Sequence, residues 1–280
     1  MVIENLYYGH SCSQCGGHTF KNAVESGFSF DYELLKKSLK RIYEADFNPM
    51  NEIEQNLFDA TLQVFNKAVD EGYGKYEESD PEFDFYNQLR TNNEVFSAFR
   101  THTMQNDLAK QLIDDKGVLK PFKQWSNDVQ TIVDHHVERW MRTEYDTAIL
   151  RAHQAADWQQ FEREKDILPN LRWMPTTSPA PDQVHKVFWQ SKLTLPIDHR
   201  FWLSHKPGDR WNCKCALEST DEDATPGSDV PASNYKPDKG LDNNVAKTGE
   251  LFSKTHPFIA DAPKGTDKVV DNFIENLNSK

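Results

Sequence analysis

The chain has 280 residues, a formal net charge of −12, and seven Trp, nine Tyr and seventeen Phe. This length fits one large domain or two modest ones, and the aromatic residues suffice for a hydrophobic core. No apolar run approaches the ~20 residues of a spanning helix, the first residues lack the pattern of a signal peptide, and the acidic balance argues against a protein that coats nucleic acid. We therefore expect a soluble, non-secreted protein without a membrane partner.

Proline divides the chain into two parts of different character. Eleven of the fourteen Pro residues lie at or after Pro169. Because proline is excluded from helix interiors, the first part can be helical and the second cannot be mostly helical. The fold class predicted is α+β, mostly α, with a helical N-terminal part followed by a smaller, loop-rich part with short strands.

Four helices are predicted before Pro169. Asp31 is a candidate N-cap for the first, Asn48-Pro49 begins the second and Gly72 ends it, and the third spans roughly 92–116. The fourth is one long helix over about 126–165, whose apolar residues keep a helical spacing throughout. Residues 31–168 are therefore predicted to be a helical domain, preceded by a flexible N-terminus over 1–30.

Shorter elements are predicted after Pro169. We expect a strand over 171–174, a short helix over 182–192, and an acidic loop over 218–244 that is rich in Pro, Gly and Ser. These belong to a C-terminal subdomain spanning 169–260. A last helix, capped near Thr266, occupies 261–280.

The four cysteines occur as two close pairs, which indicates metal binding or reduced thiols in a chain without a signal peptide. Structural zinc requires four sulfur or nitrogen ligands. Cys213, Cys215 and His185 with one further group would satisfy it. Alternatively, Cys12 and Cys15 complete a four-thiolate site with the later pair, bind separately, or are exposed thiols on a loose terminus.

Basic residues concentrate near the later cysteine pair. Lys206, Arg210 and Lys214 could form a face that contacts DNA or an acidic partner, and the alternative is a mixed, solvated surface. No catalytic residue is predicted. Thiol catalysis needs a positioned histidine that the sequence alone does not identify, and His135-His136-Val137-Glu138 lacks the spacing of a zinc protease helix.

Several segments, in a fixed order between about 80 and 260, carry a family resemblance. They are Leu89-Arg90-Thr91-Asn92-Asn93-Glu94-Val95-Phe96-Ser97-Ala98-Phe99, Trp140-Met141-Arg142-Thr143-Glu144-Tyr145-Asp146-Thr147-Ala148, Ala155-Ala156-Asp157-Trp158, Leu171-Arg172-Trp173, Asp182 with His185, Leu195-Pro196, Phe201-Trp202, Trp211-Asn212-Cys213-Lys214-Cys215, Asn243-Asn244-Val245-Ala246-Lys247-Thr248-Gly249-Glu250-Leu251-Phe252 and His256-Pro257. The chain resembles the phage head morphogenesis proteins of the Mu protein F-like type, also called the SPP1 minor head protein family. The family often shows an Arg shortly before its His, whereas here Asp182-Gln183-Val184 precede His185.

The resemblance implies a non-enzymatic minor capsid component that associates with the portal and with capsid or scaffold proteins. Such a protein would be in the virion head, and in the host cytoplasm during assembly, and would assist head assembly or DNA packaging and ejection. The family's signature positions fall on Glu144, Tyr145, Asp182, Trp202, Pro207 and Trp211, and its His and Cys-x-Cys positions on His185, Cys213 and Cys215. The alternatives are a zinc-binding adaptor and a carrier domain of a Mu F-linked toxin or nuclease.

Overall fold

The computed structural model describes residues 27–176, 178, 181, 183–231 and 236–279. The fold is mostly helical with one small sheet, which confirms the predicted class. The helices before Pro169 are α1 (Tyr32–Tyr43), α2 (Gln55–Gly72), α3 (Phe83–Ala109), α4 (Phe122–Asp128), α5 (Gln130–Asp134), a π-helix (His135–Met141) and α6 (Arg142–Glu164). No described helix is long and apolar enough to cross a membrane.

The ends of the first two helices follow local chemistry. The Asp31 carboxylate caps α1 by accepting from the backbone N–H groups of Glu33 and Leu34, as predicted. The predicted start of α2 at Asn48-Pro49 is wrong. Asn48 closes a turn instead, because its side chain accepts from the N–H of Met50, and the helix begins after Glu54, whose carboxylate accepts from Leu57.

The two longer helical predictions need different corrections. The third helix begins at Phe83 and ends at Ala109, nine and seven residues before the predicted 92 and 116. The long helical stretch over 126–165 begins earlier, at Phe122. It consists of α4, α5, the π-helix and α6 rather than one regular α-helix.

The helical part is organised around α2, which packs against both α3 and α6. At Gly72, a built Cβ would stand 2.3 Å from the backbone oxygen of Ile149 on α6. Only glycine therefore allows the two helices to approach this closely. Ala148, Ala152 and Ala155 line the facing side of α6 and are 0–1% exposed, so small side chains form this contact.

The part of the described chain after Pro169 is built on a three-stranded antiparallel sheet in the order β2-β1-β3. The strands are β1 (Asn170–Met174), β2 (Thr194–Pro196) and β3 (Ala216–Thr220), and α7 (Gln183–Gln190) and a 3₁₀ turn (Arg200–Leu203) pack beside them. The predicted strand and short helix before residue 192 are thus close to the observed elements. Strand β3 was predicted as the start of a loop.

Three short helices complete the chain: α8 (Val245–Thr248), α9 (Pro257–Ala260) and α10 (Thr266–Asn278). The predicted C-terminal helix is present, but Thr266 is its first residue rather than its cap. At the other end, Phe28 and Phe30 pack against the hydrophobic core, so the flexible segment predicted over 1–30 does not extend to them. Residues 1–26 lie outside the described part of the chain.

Candidate metal centre

His185 is the centre of the candidate site. It lies on α7 with no exposed surface, and its ring makes an edge contact with Trp173 at 5.0 Å between centroids. Its Nε2 stands 2.7 Å from Oδ1 of Asp209, which is also fully buried. Since a carboxylate only accepts, Nε2 carries a proton and Nδ1 faces the opposite side of the ring.

The two cysteines meet His185 on that opposite side. The Sγ of Cys213 is 3.3 Å from Nδ1, and the Sγ of Cys215 is 3.8 Å from the same nitrogen. The three potential ligand atoms all lie within 4.8 Å of one another. Both thiols are free and buried, at 5% and 4% exposure. The sequence prediction that His185, Cys213 and Cys215 come together therefore agrees with the geometry.

Burial and hydrogen bonding control the charges of these groups. Burial lowers the pKa of His185, but hydrogen bonds to Asp209 and Cys213 outweigh it and raise the pKa to about 10. Burial raises the pKa of Asp209, whereas hydrogen bonds from His185 and His205 bring it down to about 2. The hydrogen bond with Cys215 and burial raise the pKa of Cys213 well above its usual range. The metal-free site therefore holds a His–Asp ion pair beside a neutral Cys213 thiol.

This donor set can hold a metal ion. Two sulfurs and one imidazole nitrogen are the ligands that zinc takes in tetrahedral sites. Asp209 supplies the carboxylate that commonly orients a metal-binding histidine through its other ring nitrogen. No fourth His, Cys, Asp or Glu of the described chain joins the three ligands.

The same geometry is unfavourable for thiol catalysis. A nucleophilic cysteine needs a depressed pKa and access for a substrate. Cys213 has a raised pKa and is 5% exposed. A metal ion would convert both thiols to thiolates by displacing their protons, so the site suits coordination better than attack.

Arg151 fixes the loop that carries Asp209, and sequence reasoning missed it. Its guanidinium has no exposed surface and donates five hydrogen bonds. The acceptors are the backbone oxygens of Leu251, Gly208, Leu241 and Asn243 and the side-chain oxygen of Asn243. All five N–H donors of the guanidinium are thus satisfied, and α6 is joined to three separate loops. Its position could have indicated a buried role, because it is a single Arg among the alanines that face inward on α6.

The predicted basic face is not assembled as expected. Lys206 is 4% exposed, and its ammonium donates to the backbone oxygen of Asn243 at 2.5 Å, so it cannot belong to a surface patch. Arg210 is partly buried and pairs with Asp238 at 3.3 Å. Lys214 alone of the three is exposed. The prediction fails at Lys206 because the lysine stem is enclosed by the loops that Arg151 joins.

The signature residues of the resemblance lie in the core or close to it. Glu144 accepts from Nε of Arg100 at 2.7 Å in a buried ion pair, and Tyr145 donates to Glu71 at 2.7 Å. Trp202 is stacked on Trp173, Pro207 is buried, and Trp211 is stacked on Phe252. Asp182, Cys12 and Cys15 lie outside the described residues.

Comparisons with known proteins do not name a relative. No protein-family model matches the chain, and no curated protein or solved structure matches it either.

Proposed function

We propose that the chain is a phage or prophage minor capsid protein, a head morphogenesis factor that associates with the portal and procapsid and performs no catalysis. The proposal rests first on the ordered set of segments that resemble the Mu protein F-like family. It gains support from the way these segments pack, because residues far apart in sequence but shared with the resemblance contact one another directly.

The ordered set of segments carries this proposal, and the contacts between α3 and the segment around Phe252 support it. Asn92 donates to the backbone oxygen of Gly249 at 2.9 Å, and the rings of Phe96 and Phe252 lie 4.5 Å apart. Arg151 adds its hydrogen bond to Leu251. Segments separated by about 150 residues thus belong to one core, as expected if they were retained together as a domain.

We further infer that His185, Cys213 and Cys215 supply three of the four ligands of a structural zinc ion. Burial of all three ligands supports a structural role, since a catalytic zinc needs a position open to substrate. Zinc would cross-link α7 to the segment before β3. A loop-rich subdomain gains stability from such a link because the unfolded chain has no preformed site.

With Lys206 buried, Arg210 and Lys214 are the two residues of the predicted basic face that remain for contact with DNA. Two basic residues, one already paired with Asp238, are a smaller electrostatic footprint than the three predicted. Replacing both by Ala should leave portal association unchanged while lowering DNA retention and its salt dependence. Unchanged DNA retention would remove DNA from the proposal and leave the capsid role intact.

A zinc-binding adaptor is the second candidate function, and the three-ligand group favours it. The two candidates differ in their partner. Co-expression with the portal protein encoded by the same phage should give a complex that elutes with the portal ring on size-exclusion chromatography. Elution of zinc-loaded protein apart from the portal and from procapsids would contradict the head role and leave the adaptor.

Metal content is tested separately. Protein purified without chelator should contain zinc, and His185→Ala should lose it, with His199→Ala as the control because His199 lies outside the group. Wild-type protein without any bound metal would overturn the zinc inference.

A further inference from the structure

The last part of the chain forms a strap over the helical part. We define the C-terminal strap as residues 256–279, comprising α9 and α10, both of which pack against α3. Val270 is 1% exposed, and Phe273 lies edge-on to Phe58 of α2 at 4.8 Å. The strap is therefore held by side-chain packing on a surface that its release would uncover.

Three buried histidines lie along the interface of the C-terminal strap. His256 caps the N-terminus of α9, and His136 of the π-helix is stacked on Phe258 with ring centroids 6.1 Å apart. His102 of α3 has its Nδ1 3.4 Å from the hydroxyl of Thr266. Their exposures are 3%, 3% and 1% respectively.

Hydrogen bonding fixes His256 in its neutral form. Its Nδ1 accepts from the backbone N–H of Phe258 at 3.3 Å, which closes the first turn of α9. A proton on Nδ1 would place donor against donor and remove the cap. The ring is also enclosed by Phe96, Phe252 and Trp211, so water could not solvate the positive charge of a protonated His256.

The charged neighbours of His256 do not compensate a proton well. Glu144 Oε1 lies 3.6 Å from Nε2, but the other Glu144 oxygen already accepts from Arg100 at 2.7 Å. Arg100 also stands over the Phe258 ring at 5.1 Å. An imidazolium here would add a second positive charge to a buried pair that is already neutral.

The other two histidines have different polar neighbours. His136 faces Asp107 through Nε2 at 3.2 Å, with Arg100 and His135 as its positive neighbours. The groups that contact the His102 ring are uncharged: the Met50 carbonyl, the Asn106 amide and the Thr266 hydroxyl. Burial lowers the pKa of all three rings, and Arg100 adds to the effect at His256, whose pKa falls to about 3.

We propose that the C-terminal strap is an acid-releasable clamp: three histidines at its interface are neutral while the strap is docked and gain protons once it opens. The direction of the pH effect follows from the linkage between proton binding and opening of the strap. The opened state binds protons below the ordinary histidine pKa of about 6.5, whereas the docked state does not, so acidification favours opening. Release would expose the apolar surface around Phe58.

Hydrogen exchange measured by mass spectrometry tests the clamp on the full chain. Between pH 7 and pH 5, after correction for intrinsic exchange, the opening constant of residues 257–279 should rise roughly 25-fold from His256 alone, and further from the other two. Helix α2 serves as the internal reference and should remain protected. Strap protection that does not change with pH, or exchange of the strap and α2 in parallel, would overturn the proposal.

Matched histidine variants assign the effect. His256→Asn keeps an N-cap acceptor but cannot titrate, so it should remove the roughly 25-fold contribution. His199→Asn is the control, because His199 also caps a short helix through Nδ1 but lies outside the strap interface. An unchanged pH response in His256→Asn would show that this histidine does not control the strap.

Discussion

Replacement of Arg151 by Met is the sharpest test of how the metal centre is supported. The change removes five hydrogen bonds at once and leaves four oxygen acceptors without a donor, because the backbone oxygen of Asn243 keeps its hydrogen bond from Lys206. At about 1 kcal/mol for each unsatisfied acceptor, the loss is roughly 4 kcal/mol. The apolar Met side chain offsets about 1 kcal/mol of this, so we expect Arg151→Met to lower the free energy of unfolding by about 3 kcal/mol.

Thermal and urea unfolding of zinc-loaded protein measure this change. A loss of about 3 kcal/mol corresponds to a Tm lower by roughly 8 °C in a chain of this size. Arg163→Met is the control, since Arg163 is on the same helix, is exposed and makes its hydrogen bonds to the side chain of Gln160. It should change stability by less than about 0.5 kcal/mol. Equal unfolding curves for the two variants would refute the role assigned to Arg151.

Three further predictions address the metal centre, the helix packing and the pH dependence of stability. Asp209→Asn should weaken zinc binding about 10- to 100-fold in a chelator competition without changing the stoichiometry, because it loosens the orientation of the ligand histidine. Gly72→Ala should lower the free energy of unfolding by about 1–3 kcal/mol, whereas Gly227→Ala, where nothing lies within 4 Å of the added Cβ, should have little effect in the same urea titration. Because the folded pKa of His256 is about 3, stability should fall by about 1.4 kcal/mol per pH unit between pH 6 and pH 4 from this group, and His256→Asn should flatten that slope.

Local signals predicted much of the secondary structure. Asp31 and Gly72 mark helix ends that need only neighbouring backbone groups, and both are correct. The wrong predictions occur where a sequence pattern is compatible with a second local structure. Asn48-Pro49 is compatible with a helix start and with a turn, and here Glu54 provides the actual cap.

Strand β3 shows why the pairing of two strands could not be predicted from the sequence of one of them. Its sequence is polar, and Glu218 reads as part of an acidic loop. In the fold, Glu218 pairs with Arg172 of β1 at 3.0 Å, a cross-strand ion pair that makes the charge compatible with a strand. The pairing exists only once β1 is beside it, so the residues of β3 alone could not indicate it.

The ligands of the candidate site were predicted from the sequence, but the residues that position those ligands were not. His185 and the Cys-x-Cys pair are recognisable because their side chains are the ones that bind metals. Asp209 and Arg151 have common surface side chains, and their roles arise from burial that the tertiary fold imposes. The prediction for Lys206 was wrong for the same reason. The tertiary fold encloses this residue in loops, whereas composition had placed it on the surface.

The claim that this chain is a minor component of a phage head is tested most directly by the composition of the particles. Procapsids and mature heads of the phage or prophage that encodes the chain should be purified through a density gradient, washed in high salt and analysed by quantitative mass spectrometry. We predict that the chain is present in both particles, in far fewer copies than the major capsid protein and in a constant ratio to the portal protein. Its presence in the producing cells together with its absence from both particles would contradict the account.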